Sequence, residues 1–104
     1  MAWIILFFAG LFEVAWAYCM KLSDGVTRFG PTSVMVVTML ASIWLLAIAM
    51  RSLPLGTAYM VWTGIGALGS FTLGVVLLGE AVNPMRLAAA ALILAGIALM
   101  KLAS

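Results

Sequence analysis

Two stretches of this chain, residues 31 to 50 and 52 to 79, contain no charged side chain. A helix crosses the hydrocarbon core of a bilayer in about 20 residues, so each stretch is long enough to span it. Residues 2 to 20 are apolar apart from Glu13, and residues 87 to 100 are uncharged between Arg86 and Lys101. That last run rises only about 21 Å at 1.5 Å per residue. Arg86 and Lys101 must therefore snorkel to the interface, or the bilayer must thin around them. Only 8% of the 104 residues are charged, against roughly 25% in a soluble domain. Hydrocarbon offers no partner for unpaired backbone groups, which makes the spans helices. The expectation is an all-α integral membrane protein, residues 1–104 forming one four-helix transmembrane domain with helices near 2–20, 31–50, 56–78 and 85–102.

The connections carry turn chemistry. Asp24, Gly25, Gly30 and Pro31 separate the first two spans, and the short "RSLPLG" segment with Pro54 and Gly56 reverses the chain between the second and third. Asn83 followed by Pro84 is a helix start. The N-terminus lacks a basic region ahead of its apolar run, so no cleavable signal is expected and the first helix is both anchor and working part. Cys19 is the single cysteine, which excludes an intrachain disulfide, and its apolar surroundings mark it as packing. With no histidine, a transition-metal site is not expected.

Four spans put Arg51 and Lys101 on one side of the membrane and Lys21, Arg28 and Arg86 on the other. Orientation follows an excess of such residues in the cytoplasmic loops, and two against three is hardly an excess. Copies are expected to insert both ways, giving two identical chains the inverted symmetry that larger transporters encode in one. Four helices also make a thin bundle, poorly able to shield a wet site from lipid. The small-residue spacing Ala88, Ala91, Ala95 and Ala98 lets helix backbones approach closely and is the expected dimer contact.

Glu13 is the acidic residue deep inside a span. Such a group costs at least a few kcal/mol unless it faces a cavity or a partner, so function is its default reading. Trp16 follows on the same helical face. Tyr59 and Trp62 repeat that three-residue spacing in the third span. Counting 1.5 Å per residue from one membrane face, Glu13 lies about 16 Å deep, Ser42 about 12 Å and Trp62 comparably deep. A carboxylate walled by rings suits a cation: the ring faces are negative, and a carboxylate takes two parallel N–H bonds from a planar guanidinium. No nucleophile and base pair, metal cluster or phosphate loop accompanies it, so an enzyme is not expected. "GIGALG", Gly64 to Gly69, matches a dinucleotide fingerprint only in letters, since it lies inside a charge-free span. Gly64, Gly66 and Gly69 instead suit close packing or a bend in the third helix. The remaining charges are bland: Asp24 and Arg28 pair in a loop, Glu80 sits in a turn, and Lys101 is an anchor.

These residues resemble the small multidrug resistance family of bacterial inner-membrane transporters over essentially the full chain. The resemblance rests on "FEVAWA", "SDGVTRFGP" and "LPLGTAYMVWTGIGALG". Trp16, the "WTGIGALG" continuation and Met39, where the multidrug subtype usually has tyrosine, look like the guanidinium exporter subtype, also called Gdx or SugE-like. The resemblance implies an antiparallel, dual-topology homodimer in which two copies of Glu13 bind either protons or substrate, with Trp16, Ser42, Tyr59 and Trp62 as hydrogen-bonding and ring-wall partners. It also implies a helix-3 hinge at the glycines, helix 4 as the dimer contact, no cofactor beyond the proton gradient, and proton-coupled export of guanidinium or related guanidinyl cations. Export of quaternary ammonium cations is the alternative transport reading, and a non-transporting membrane subunit is the alternative of another class. The chain departs from the subtype in Tyr18, Cys19 and Met20 after Trp16, and in Met60.

Overall fold

The computed structural model describes residues 1–103. They form four α-helices: α1 (Ala2–Leu22), α2 (Phe29–Ala49), α3 (Leu55–Leu77) and α4 (Pro84–Leu102). All four are long and apolar enough to cross a membrane. Helix α2 begins two residues before Pro31 rather than at it. Proline is harmless in a first turn, because the N–H it lacks there has no intrahelical partner. The α1–α2 turn is organised by Ser23, which is fully buried. Its hydroxyl donates to the Met20 carbonyl at 2.6 Å and accepts the Val26 N–H at 3.0 Å. This holds Asp24, Gly25 and Val26 at φ of 52°, 73° and 67°. Asn83 Oδ1 accepts the Arg86 N–H at 2.9 Å and caps α4, with Pro84 in its first turn.

Helix α1 is the centre of the bundle. It packs against both α2 and α3, whereas α4 leans on α3 alone and α2 barely meets α3. The short turn after Arg51 does reverse the chain, but α3 then settles beside α1. Glycines allow that approach. A Cβ on Gly10 would strike Ile65 at 2.7 Å, one on Gly69 would strike Val14 at 3.2 Å, and one on Gly64 would strike Ile97 at 2.8 Å. The apolar core lies in the half of the bundle next to the α2–α3 turn, around Leu6, Ala9, Leu46, Ala58 and Trp62.

The charges flanking α4 fold back as a short apolar run demands. Lys101 Nζ stands 5.2 Å from the ring centre of Trp3 on α1, and the Arg86 guanidinium 5.2 Å from that of Phe71 on α3. Among the described residues the ion pair joins Arg86 to Glu80, not Arg28 to Asp24. Ile93 and Ile97 of α4 reach Gly64 of α3, while Ala88, Ala91, Ala95 and Ala98 are exposed on the opposite side of the helix. The whole is a slab of 40 × 35 × 17 Å.

Glycine contacts this tight make a stability test. Gly10→Ala is expected to destabilise the fold by about 1–3 kcal/mol through overpacking against Ile65. Gly56→Ala is expected to be neutral or stabilising by up to about 1 kcal/mol, since no atom lies within 4 Å of a Cβ there. Thermal unfolding in detergent distinguishes the two.

Candidate functional site

The five side chains singled out on α1, α2 and α3 fall into two adjacent layers. In the first, the Ser42 hydroxyl donates across from α2 to the Ala9 carbonyl of α1 at 2.6 Å. Trp62 Nε1 of α3 in turn donates to Ser42 Oγ at 3.0 Å. Three helices are thus tied by one buried chain of hydrogen bonds. Tyr59 leans on the Trp62 ring, with centroids 5.5 Å apart and planes tilted by 55°. Trp62 is buried, whereas Tyr59 is 52% exposed.

The second layer is Glu13, Trp16 and Gly66. Glu13 lies four residues beyond Ala9 on α1, and Gly66 four beyond Trp62 on α3, so the layers are offset by about 6 Å along parallel helices. The Glu13 side chain lies flat on Gly66, and a Cβ at residue 66 would overlap its carboxyl group and meet Cγ at 2.8 Å. Glu13 Oε1 and Trp16 Nε1 are buried, and neither has a hydrogen-bond partner among the described residues. Buried polar atoms are nearly always paired. A carboxylate acceptor and, three residues further along α1, an indole donor thus stand buried without a partner among the described residues.

This geometry alters the expected partnership. A serine hydroxyl has one proton and an indole one N–H; Ser42 gives its proton to Ala9, and Trp62 gives its own to Ser42. Within one copy neither donor is left for Glu13. The contact with Gly66 was not legible in "GIGALG", where the glycines suggested packing or a bend. Helix α3 runs through Gly64, Gly66 and Gly69 as one unbroken helix.

Two grooves flank the site. One, of about 380 Å³, runs from Ala17 and Ser70 to Lys21, Glu80 and Arg86. The other, of about 370 Å³, is a nearly apolar slot between α3 and α4 reaching from Tyr59 and Met60 to Ile97.

The sequence profile of the family described as Small Multidrug Resistance protein matches residues 1–93. This chain belongs to the small multidrug resistance family. Similar proteins include a guanidinium exporter of Yersinia pseudotuberculosis serotype I, 58% identical over 104 residues covering the whole of both chains. Those of Escherichia coli strain K12 and Citrobacter freundii are 56% and 50% identical, each match covering 100% of this chain and 99% of the relative. As a small multidrug resistance protein with four spanning helices, it is a multi-pass protein of the bacterial inner membrane.

The first layer can be tested without transport. Ser42→Ala removes the acceptor of Trp62 Nε1 and the donor to Ala9. The expected loss of stability is about 1–2 kcal/mol, read as a lower midpoint of thermal unfolding in detergent together with a shifted Trp62 fluorescence maximum.

Proposed function

We propose that this protein exports guanidinium or related guanidinyl cations by proton-coupled antiport, working as an antiparallel homodimer that brings two copies of Glu13 into one site. The observation that carries the proposal is the buried carboxylate oxygen of Glu13, unpartnered among the described residues and resting on Gly66 of α3, with the unpartnered indole N–H of Trp16 three residues further along α1. Relatives more than half identical that are named guanidinium exporters support the choice of substrate.

The chemistry is competition for carboxylate. A guanidinium is planar and offers paired N–H donors that match two carboxylate oxygens, while the faces of Trp16 and of the Tyr59–Trp62 pair suit its delocalised charge. Protonating Glu13 removes the anion and releases the cation. Two carboxylates in one site titrate as a coupled pair, so the proton count belongs to the pair. An empty, fully ionised site is highly unfavourable in low dielectric, which disfavours switching sides without either cargo.

A second copy completes the site. One chain is a slab only 17 Å through, under two helix diameters of about 10 Å, too thin to surround a wet cation with protein. The exposed alanine face of α4 suits close contact with another copy, and the near-even loop charges suit opposite insertion. Gly64, Gly66 and Gly69 give α3 three positions without a Cβ beyond the Trp62–Ser42 tie, where the helix can bend when access switches.

Protein reconstituted in liposomes with an imposed proton gradient is expected to move guanidinium, and Glu13→Gln to abolish that movement; persistent transport in Glu13→Gln would falsify the role of Glu13. Protons and cation compete, so the half-saturating guanidinium concentration is expected to rise as pH falls. For one proton displaced per cation the rise approaches about tenfold per pH unit on the acid side. Transport of tetraalkylammonium without guanidinium would point to the quaternary ammonium reading instead. Gly66→Ala, which denies Glu13 its resting place, is expected to weaken guanidinium binding more than about tenfold, measured by quenching of tryptophan fluorescence, with the four helices intact by circular dichroism.

A further inference from the structure

The groove lined by Ala17, Tyr18, Lys21, Ser70, Glu80 and Arg86 starts close to the central carboxylate. Ala17 is one turn beyond Glu13 on α1, and Ser70 one turn beyond Gly66 on α3. At its outer end stands a second carboxylate, Glu80.

Glu80 is positioned as deliberately as Glu13. Gly79 takes φ +70°, the left-handed conformation that ends a helix, and the Glu80 N–H donates to the Gly74 carbonyl at 3.0 Å. Its carboxyl group lies on Gly74, where an added Cβ would meet Cδ at 2.8 Å. Helix α3 therefore carries two glycines, Gly66 and Gly74, each bedding a carboxylate from another segment, about 12 Å apart along its axis.

A guanidinium already occupies this outer position. Arg86 Nη2 stands 3.7 Å from Glu80 Oε1, its Cζ lies 5.2 Å from the Phe71 ring centre, and Nη1 donates to the Ala81 carbonyl at 2.5 Å. A carboxylate on one side and a ring face on another are the groups that recognise a guanidinium. The contact is longer than a hydrogen bond, and the two side chains are 40% and 41% exposed. Such a pair is weak and open to exchange.

We propose that Glu80, with Gly74 and Phe71, is a second guanidinium-binding site at the outer end of the groove leading to Glu13, and that Arg86 is its built-in competitor. The proposal rests on the guanidinium reading above. An incoming guanidinium replaces the tethered one, and Arg86 swings into interfacial water. Lys21 in the same groove keeps the affinity low, as a transfer station needs: binding must be strong enough for entry and weak enough for release. In an antiparallel pair the two copies put one station at each membrane face.

The two partners then have opposite effects on transport, whereas a purely structural clasp gives the same effect from either. In liposomes with an imposed proton gradient, guanidinium flux is read well below half-saturation. It is expected to fall about threefold to tenfold in Glu80→Gln and to rise by a similar factor in Arg86→Gln, with the saturated rate altered less in both. Flux falling in both variants, or unchanged in both, overturns the proposal. Binding is read separately in Glu13→Gln, which lacks the central carboxylate. Guanidinium chloride and sodium chloride are titrated at equal ionic strength while the Gly74 and Glu80 amide resonances are followed. Saturable shifts with guanidinium alone, lost in the Glu13→Gln/Glu80→Gln double variant, are expected; identical responses to the two salts overturn the site. Wild-type liposomes that move no guanidinium overturn the functional reading on which the proposal rests. Wild-type flux without a saturable shift at Gly74 and Glu80 overturns this second site alone.

Discussion

A carboxyl group in the middle of a membrane-spanning helix has to be housed by protein, because lipid offers it neither hydrogen bonds nor a high dielectric. Much of this fold follows from housing Glu13. Its helix is packed on two sides, by α2 and α3. The wall that meets the carboxyl group is a glycine, Gly66, since any larger residue would occupy the same volume. Gly10 and Gly69 bring the two backbones close above and below, at Ile65 and Val14. Gly66 and Gly69 are thus less a property of α3 alone than a negative image of Glu13 and Val14 on α1.

The same three helices show how differently two neighbouring polar layers can be treated. Ala9, Ser42 and Trp62 form a chain in which each proton has an acceptor, and satisfied buried networks of this kind rigidify and specify a packing arrangement. One turn away, Glu13 and Trp16 keep an acceptor and a donor unused. Under the proposed mechanism the first layer must hold still while the second exchanges cation for proton. Fixing the frame through Ser42 keeps the carboxylate in register without consuming its binding capacity. A direct bond from Trp62 to Glu13 would do the reverse, tying up an oxygen that a guanidinium needs.

Hydropathy and charge placement made the four helices readable from sequence, because in lipid length and apolarity leave few alternatives. Glu13 was readable for the same reason: its cost in a span marks it out. Partnerships were not. Ser42, a hydroxyl in an apolar helix, gives no sign from its own neighbours that it bonds Ala9, thirty-three positions earlier. Gly66 looked like its neighbours Gly64 and Gly69, although the three meet a carboxyl group, an isoleucine of α4 and a valine of α1 respectively. Local pattern tells which residues lack a side chain; only the packing tells what fills the space. The α1–α2 connection makes the same point in a loop, where a buried serine, rather than Gly30 or Pro31, organises the turn.

The thinness of one chain and the balance of its loop charges bear on a single problem. Alternating access needs two states of nearly equal free energy that open to opposite sides. In a lone asymmetric protein that equality has to be tuned. Two identical chains inserted in opposite senses obtain it from symmetry: if the copies take two different shapes, exchanging those shapes gives the same complex facing the other way. Its energy is unchanged apart from the cargo and the gradients across the membrane. A strong lysine and arginine bias would forbid this arrangement by fixing one orientation, and a thick self-contained bundle would remove the need for it. Under the proposed mechanism the few charges at the helix ends therefore matter as much as Glu13 does, and the exposed alanines of α4 are the face that a second copy would cover.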